Sequence, residues 1–394
     1  MMDRSLRIRA RRYRLGPALP ALVCLALSAC GSMDVPRGGS GSGNDFEDGN
    51  QNPQATSPLG KVRGEPNDSF DNAIVAVFDA QDTARLQGTV STEGDVDVYY
   101  LGPMDPGDYI TISTSTPDSE LDISIAVFDE QERMFVMNDD ADDGSLDSYV
   151  EECVRHASDP YYLVISASGL AMSQAQTTGA YEATVVVARG GAPPPPQGQV
   201  LLLDFDGGRP GTSAIPDDSV APFRAGDISA LYIGQTEEMK QAIVDTVHEN
   251  FDGLDVTIVT SDDAELPEPG TYSTVFFGGY SFDTFGIAED VDSYNHDHGD
   301  VAVIYTEAFR PTLFSETPTV EEMGLAIGNI ASHEAGHLLG LSHVNDPTAL
   351  MDEVNPADTF LLDQEFKEAP LSPTIAPLGV EDAFLLLQEI LGIA

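Results

Sequence analysis

The chain reads as a multidomain protein, a β-sandwich followed by a domain of the α+β or α/β class, and three observations lead there. Between residues 61 and 190, short β-branched and aromatic runs recur with turn residues between them and no helical period. Residues 193–196 are four consecutive prolines, which make a stiff break. From residue 198 onward, short apolar runs alternate with segments of helical period in the order β-α-β-β-β-α. With 394 residues, the chain is long enough to build two separate cores.

Residues 1–29 read as an export signal. Six arginines between Arg4 and Arg14 form a positive region, and the apolar stretch 15–27 is interrupted by Pro17 and Pro20, too short to span a membrane. Leu27-Ser28-Ala29-Cys30 resembles a bacterial lipobox. That resemblance implies an exported lipoprotein held on a membrane by lipid on Cys30, with Gly31 fitting the outer membrane. An ordinary signal peptide with an incidental cysteine is the alternative. Residues 30–60 are Gly-, Ser-, Asn- and Asp-rich and read as a flexible tether.

Within 61–190, the runs 109–113, 121–128, 161–165 and 181–187 read as strands, and 121–128 alternates inward and outward residues. Turns are expected at 105–108 and 142–144. The stretches Glu65-Pro66-Asn67-Asp68-Ser69, Gly94 to Tyr99 and Gly179-Ala180-Tyr181 resemble the bacterial pre-peptidase C-terminal (PPC) domain. The likeness implies a jelly-roll-like accessory of a secreted peptidase, without catalytic residues. Residues 191–197 are the proline-rich linker.

In the last region, 198–394, residues 200–204, 256–259, 274–277 and 301–305 read as buried strands. A helix over 236–250 presents Met239, Ile243 and Val247 on one face. A second helix opens at Pro318 or Thr319, with Thr319 and Glu322 at capping-box spacing; it directs Met323, Ala326, Ile327 and Ile330 inward and ends at Gly340. Residues 380–391 are expected to form a final apolar-faced helix.

The chemistry sits at the end of the second helix. His333 and His337 are one turn apart and project from one face. Gly340 lets the chain double back and bring in His343. Three imidazoles with one open position describe a catalytic zinc site, and Glu334 stands where it can take a proton from water. The sequence His333-Glu334-Ala335-Gly336-His337-Leu338-Leu339-Gly340-Leu341-Ser342-His343, with Ala349-Leu350-Met351 after it, resembles the metzincin zinc endopeptidases, most closely the matrixin branch.

The resemblance implies a twisted mixed sheet under an active-site helix, with a short C-terminal subdomain. It makes His333, His337 and His343 zinc ligands, Glu334 the catalytic acid/base and Met351 the Met-turn floor. Asp352 and Glu353 depart from the family pattern where Pro and Tyr usually follow, and they suggest tolerance of basic or small substrate residues near the cleaved bond. No matrixin-type cysteine switch is present. The expected function is zinc-dependent hydrolysis of peptide bonds in extracytoplasmic proteins or peptides. The alternatives are a catalytically inactive cell-surface adhesion or binding lipoprotein and a hydrolase of non-peptide substrates.

The formal net charge of −48 excludes nucleic acid and anionic lipid surfaces as general partners. With Cys24 in the signal and Cys30 lipidated, Cys153 has no disulfide partner and reads as a small buried residue. His296, Asp297, His298 and Asp300 crowd one loop, read as a solvated turn with a second, structural zinc or calcium as the alternative. The acidic loop 138–144 misses the EF-hand pattern and retains only weak Ca2+ binding as its alternative. Asp204 and Asp206 read as a strand-end turn rather than a calcium site. His156 and His248 read as surface or packing residues, and the glycines of 278–288 as turns or the approach to a substrate-pairing strand.

Overall fold

A computed structural model describes residues 66–394, apart from 93, 118, 142–144, 170–176, 216–218, 264–267, 269, 283 and 354–355. The expected export signal, lipidation at Cys30 and tether, together with Glu65 and the expected turn at 142–144, lie outside the described residues.

The N-terminal region is β-rich. Its strands are β1 (Ile74–Val75), β2 (Thr83–Val90), β3 (Val96–Met104), β4 (Tyr109–Ser115), β5 (Ile123–Phe128), β6 (Met134–Asn138), β7 (Tyr149–Cys153), β8 (Ser158–Ala167) and β9 (Gly179–Ala188). They form two sheets, ordered β1-β3-β8-β5-β6 and β2-β9-β4-β7. Leu86, Ile110, Ile112 and Val185 from one sheet share a core with Ile123, Ile125, Leu163 and Ile165 from the other. Period-two side chains explain this packing, since alternate residues of each strand point between the sheets. Cys153 is buried and unbridged, as expected.

The second region has a mixed sheet with helices. It runs β10 (Gln199–Asp204), α1 (Ala225–Ile228), α2 (Thr236–Asn250), β11 (Val256–Thr260), β12 (Ser273–Phe277), β13 (Gly286–Ala288), β14 (Val301–Ile304), α3 (Val320–Leu338), β15 (Glu368–Pro370), β16 (Val380–Asp382) and α4 (Ala383–Leu391). The sheet order is β11-β10-β12-β14-β13; β13 is antiparallel at the edge and the other pairs are parallel. Helix α3 begins with the expected capping box, Thr319 accepting from Glu322 N–H and the Glu322 carboxylate from Thr319 N–H. It then runs buried along almost its whole length, with Met323, Ala326 and Ile327 fully inaccessible. Gly324 and Gly328 lie where a side chain would strike Ala242 and Thr246 of α2, so the two helices approach closely.

Three expectations need correction. Residues 380–382 are strand rather than helix: they pair with β15, and Asp382 then caps α4 by accepting from Leu385 N–H. Strand β13 is additional to the expected order. Strand β5 does not alternate, because all six of its residues are buried. Its outer face, with Ala126 and Phe128, packs beneath Leu371, Ile375 and Ala376 from the C-terminal region.

The two regions are therefore packed together. Tyr294 donates to Phe135 O at 3.0 Å and tilts against the Phe135 ring. The Arg155 guanidinium lies 4.3 Å from the centre of the Tyr294 ring. Val380 N–H donates to Glu132 O at 2.9 Å.

Candidate metal centre

Helix α3 places His333 and His337 one turn apart, as their spacing requires. Its end is closed by Gly340 at φ +94°, the left-handed conformation expected there. A side chain at Gly340 would also strike Asp292 O, 2.8 Å from its Cβ, so the 290s loop packs directly on this turn. Leu341 N–H returns to Gly336 O at 2.9 Å and redirects the chain toward His343.

The result is a tight triad. His333 Nε2 lies 3.1 Å from His337 Nε2 and 3.2 Å from His343 Nε2, and the latter two are 3.2 Å apart. His333 Nδ1–H donates to Leu350 O at 2.6 Å and His337 Nδ1–H to Leu341 O at 2.8 Å. Those donations fix the tautomer, so the Nε2 lone pairs of both rings face inward. Burial holds all three rings neutral, with His333 pushed down to about 4, His337 to about 3, and His343 well below the usual histidine range. Two inward-facing acceptors, with His343 Nε2 closing the triangle, fit a cation. Their separation matches the roughly 3.3 Å expected for tetrahedral ligands at metal–nitrogen distances of about 2.0–2.1 Å. Among the described residues, no other group of three His, Cys, Asp or Glu side chains converges in this way.

Glu334 is fully buried beside the triad. Burial pushes its carboxyl well above the usual range, while the Ala288 backbone gives the ionised form partial support. That support falls short of a full hydrogen bond, and both carboxylate oxygens lack a partner among the described residues. Met351 is buried against α3, its sulfur 2.6 Å from where a Cβ on Gly336 would stand. The turn is tied down by Val344 N–H donating to Met351 O at 2.9 Å.

Other sequence candidates lie elsewhere. Asp352 is buried, and the Glu353 carboxylate accepts from Ser372 and Thr374 hydroxyls. Both side chains are held within the fold rather than projecting freely. His296 Nε2 is 3.2 Å from Glu152, while Asp297 accepts from Gly299 N–H, so these side chains stabilise the loop rather than converge. Asp204 accepts from the N–H groups of Asp206 and Gly207, the strand-end turn expected.

Sequence reasoning missed two residues that touch this centre. Glu381 is wholly buried and accepts Ser342 N–H at 2.9 and 3.1 Å through its two oxygens, which ties β16 to the loop carrying His343. Gly286 lies against Glu334. Glu381 stands in no motif; Gly286 falls in the glycine stretch read as turns or the approach to a substrate-pairing strand, which gave no sign of contact with Glu334.

Residues 239–366 match the model of the Matrixin family, less than half of the chain. A search of curated proteins finds no match. Among solved structures, an archaemetzincin from Methanopyrus kandleri is 15% identical, with a TM-score of 0.26, covering 49% of this chain and 95% of that one. A zinc-dependent peptidase from Methanocorpusculum labreanum is 13% identical, with a TM-score of 0.24, covering 43% of this chain and 94% of that one. The pre-peptidase C-terminal domain of a collagenase from Bacillus anthracis is 14% identical, with a TM-score of 0.20, covering 27% of this chain and 89% of that one. Overlaps this loose carry no argument about the site. The motif spanning residues 333–351 falls inside the matched segment, and residues 239–366 of this chain are matrixin-like.

Proposed function

We propose that this chain is a zinc-dependent endopeptidase acting on extracytoplasmic proteins or peptides. The observation that carries the reading is the inward convergence of three neutral imidazoles, with a buried glutamate next to the first of them whose carboxylate makes no full hydrogen bond among the described residues. His333, His337 and His343 hold the metal, and Met351 forms the floor under them. Zinc, when bound, supplies Lewis-acid polarisation of a carbonyl and acidification of a water. Glu334 takes the proton of the attacking water and hands it to the departing amine.

The finer assignments are part of the same proposal: a metzincin-type catalytic domain over 198–394, a PPC-like jelly roll over 61–190, and a lipid anchor on Cys30 in the outer membrane. They draw on the motif, the strand pattern and the lipobox. The test is cleavage of unfolded casein by the zinc-loaded chain. Activity that disappears in Glu334→Ala and on chelation supports the reading. Casein left intact by zinc-loaded wild type, or undiminished cleavage in Glu334→Ala, would overturn it.

A further inference from the structure

The glutamate assigned above to proton transfer rests against a bare stretch of backbone. A Cβ on Gly286 would lie 2.4 Å from Glu334 Oε1, 2.6 Å from its Cγ and 2.8 Å from its Cδ. Gly286 is outside the left-handed region, so backbone strain does not call for glycine here. The strand cannot readily retreat either. Strand β13 is bonded to β14 on its inner side through Glu289 N–H to Val301 O and Tyr305 N–H to Phe285 O, both at 2.8 Å. The Thr284 hydroxyl also donates to Gly286 O at 2.6 Å. With β-strand alternation, the backbone groups of Gly286 and Ala288 then face the free edge, the side on which Glu334 lies.

We propose that Gly286 is a positioning residue for Glu334: the missing side chain on the sheet's edge strand is the space that lets the carboxylate stand beside the metal triad. The proposal rests on the peptidase reading only in the role given to Glu334. An added methyl meets the Glu334 side chain from Cγ to the carboxylate, not backbone. The carboxylate is therefore displaced while the fold and the histidines stay in place. A misplacement of about 1 Å in a reacting group can cost about 10²-fold in rate.

The test compares wild type, Gly286→Ala, Glu334→Asp and the double variant, all zinc-loaded. The readouts are zinc content, Tm, acetohydroxamic acid affinity, and kcat and KM on a casein-derived peptide. Acetohydroxamic acid is used because its acidic hydroxyl, held at a bound metal, would hydrogen-bond to a neighbouring carboxylate and so report where that carboxylate stands. For Gly286→Ala the expected result is full zinc content, kcat lower by about 10²-fold with KM little changed, and acetohydroxamate affinity lower by at least about tenfold. In the Glu334→Asp background, where the carboxylate is one methylene shorter, the same Ala substitution should cost less than about tenfold.

Equal losses in both backgrounds, or an unchanged kcat and acetohydroxamate affinity in Gly286→Ala, would overturn the proposal. If Gly286→Ala failed to fold, rescue by Glu334→Ala would support the contact, and persistent misfolding would sink it. Should wild type cleave nothing, the peptidase reading falls, and the acetohydroxamate affinities still decide the case of Gly286.

Discussion

His156 is where acidity should show how the two regions hold each other. Its ring lies 3.2 Å from Asp129 Oδ2 in the β-rich region and 2.8 Å from Glu389 Oε1 on α4, with 28% of the side chain exposed. Hydrogen bonding, first to Asp129 and then to Glu389, raises its pKa from 6.5 to about 9 against the opposing effect of burial. The folded state thus binds this proton more tightly than the unfolded chain. The contribution to stability is complete below pH 6.5 and is lost as pH rises through about 9. A rise of that size corresponds to about 3 kcal/mol, and partial exposure and salt reduce it to about 2 kcal/mol. Total stabilities are only about 5–15 kcal/mol, so the effect is measurable. Urea unfolding of wild type and His156→Gln at pH 6, 7.5 and 10 reads it, because other titrations cancel in the difference. The variant should be less stable at pH 6 by about 2 kcal/mol, and the gap should close by pH 10. A gap that stays constant with pH would refute the reasoning and leave His156 as a packing residue.

Two further outcomes concern the support of the triad. Glu381 has its carboxyl pushed up to about 8, by burial first, against the Ser342 N–H bonds that favour the ionised form. A raised carboxyl stabilises the fold fully below its unfolded pKa of about 4.5 and loses that contribution as pH rises through about 8. Glu381→Gln should therefore flatten stability between pH 5 and 8 and exceed wild type at pH 9 by an amount on the order of 3 kcal/mol. Thermal unfolding across that range measures it, and a slope equal to wild type would count against the account. Gly336→Ala places a methyl 2.6 Å from Met351 Sδ and 3.3 Å from Leu341 Cδ1. It should cost about 1–3 kcal/mol and weaken zinc retention against a competing chelator. Unchanged retention would mean that the Met351 turn yields freely.

What was legible in the sequence was local. The capping box at Thr319, the one-turn spacing of His333 and His337 and the left-handed Gly340 are each set within a few residues, where helix periodicity and cap chemistry operate. The β-rich character of the first region and the strand–helix order of the second followed from period-two and period-3.6 patterning in the same way. Strand β13 is three residues, too short to show any period, so only the family resemblance, and not the residue pattern, pointed to a strand edge near 278–288. Residues 380–382 look helical because apolar spacing continues unbroken into α4; only pairing with β15 makes them strand. Strand β5 was expected to have one wet face. What covers that face is Leu371 and Ile375, some 240 residues further along the chain, and no local pattern records so distant a neighbour. The His156–Glu389 pair is hidden for the same reason, with 233 positions between its members.

That distant packing bears on what the β-rich region does for the metal centre. Leu371, Ile375 and Ala376 are at most 5% exposed because Val96, Val98, Phe128 and Val164 cover them. Tyr294, buried against Phe135, belongs to the loop that packs on Gly340. Ser372 N–H donates to His343 O at 3.0 Å, so the covered segment also holds the third histidine from behind. Uncovering Leu371, Ile375 and Tyr294 would forfeit about 1.5–3 kcal/mol for each large side chain, which sums to the same order as the stability of a whole domain. Residues 198–394 expressed without the β-rich region should therefore aggregate, or fold with a Tm well below that of the longer chain, and should lose zinc more readily to a chelator. Sedimentation and chelator competition on the two lengths decide it. A soluble, cooperatively folding 198–394 with undiminished zinc retention would show that the contacts at Tyr294 and Leu371 are incidental to the triad. The opposite result would make the β-rich region part of the metal centre's scaffold, which is how a region distant in sequence would govern where His343 stands.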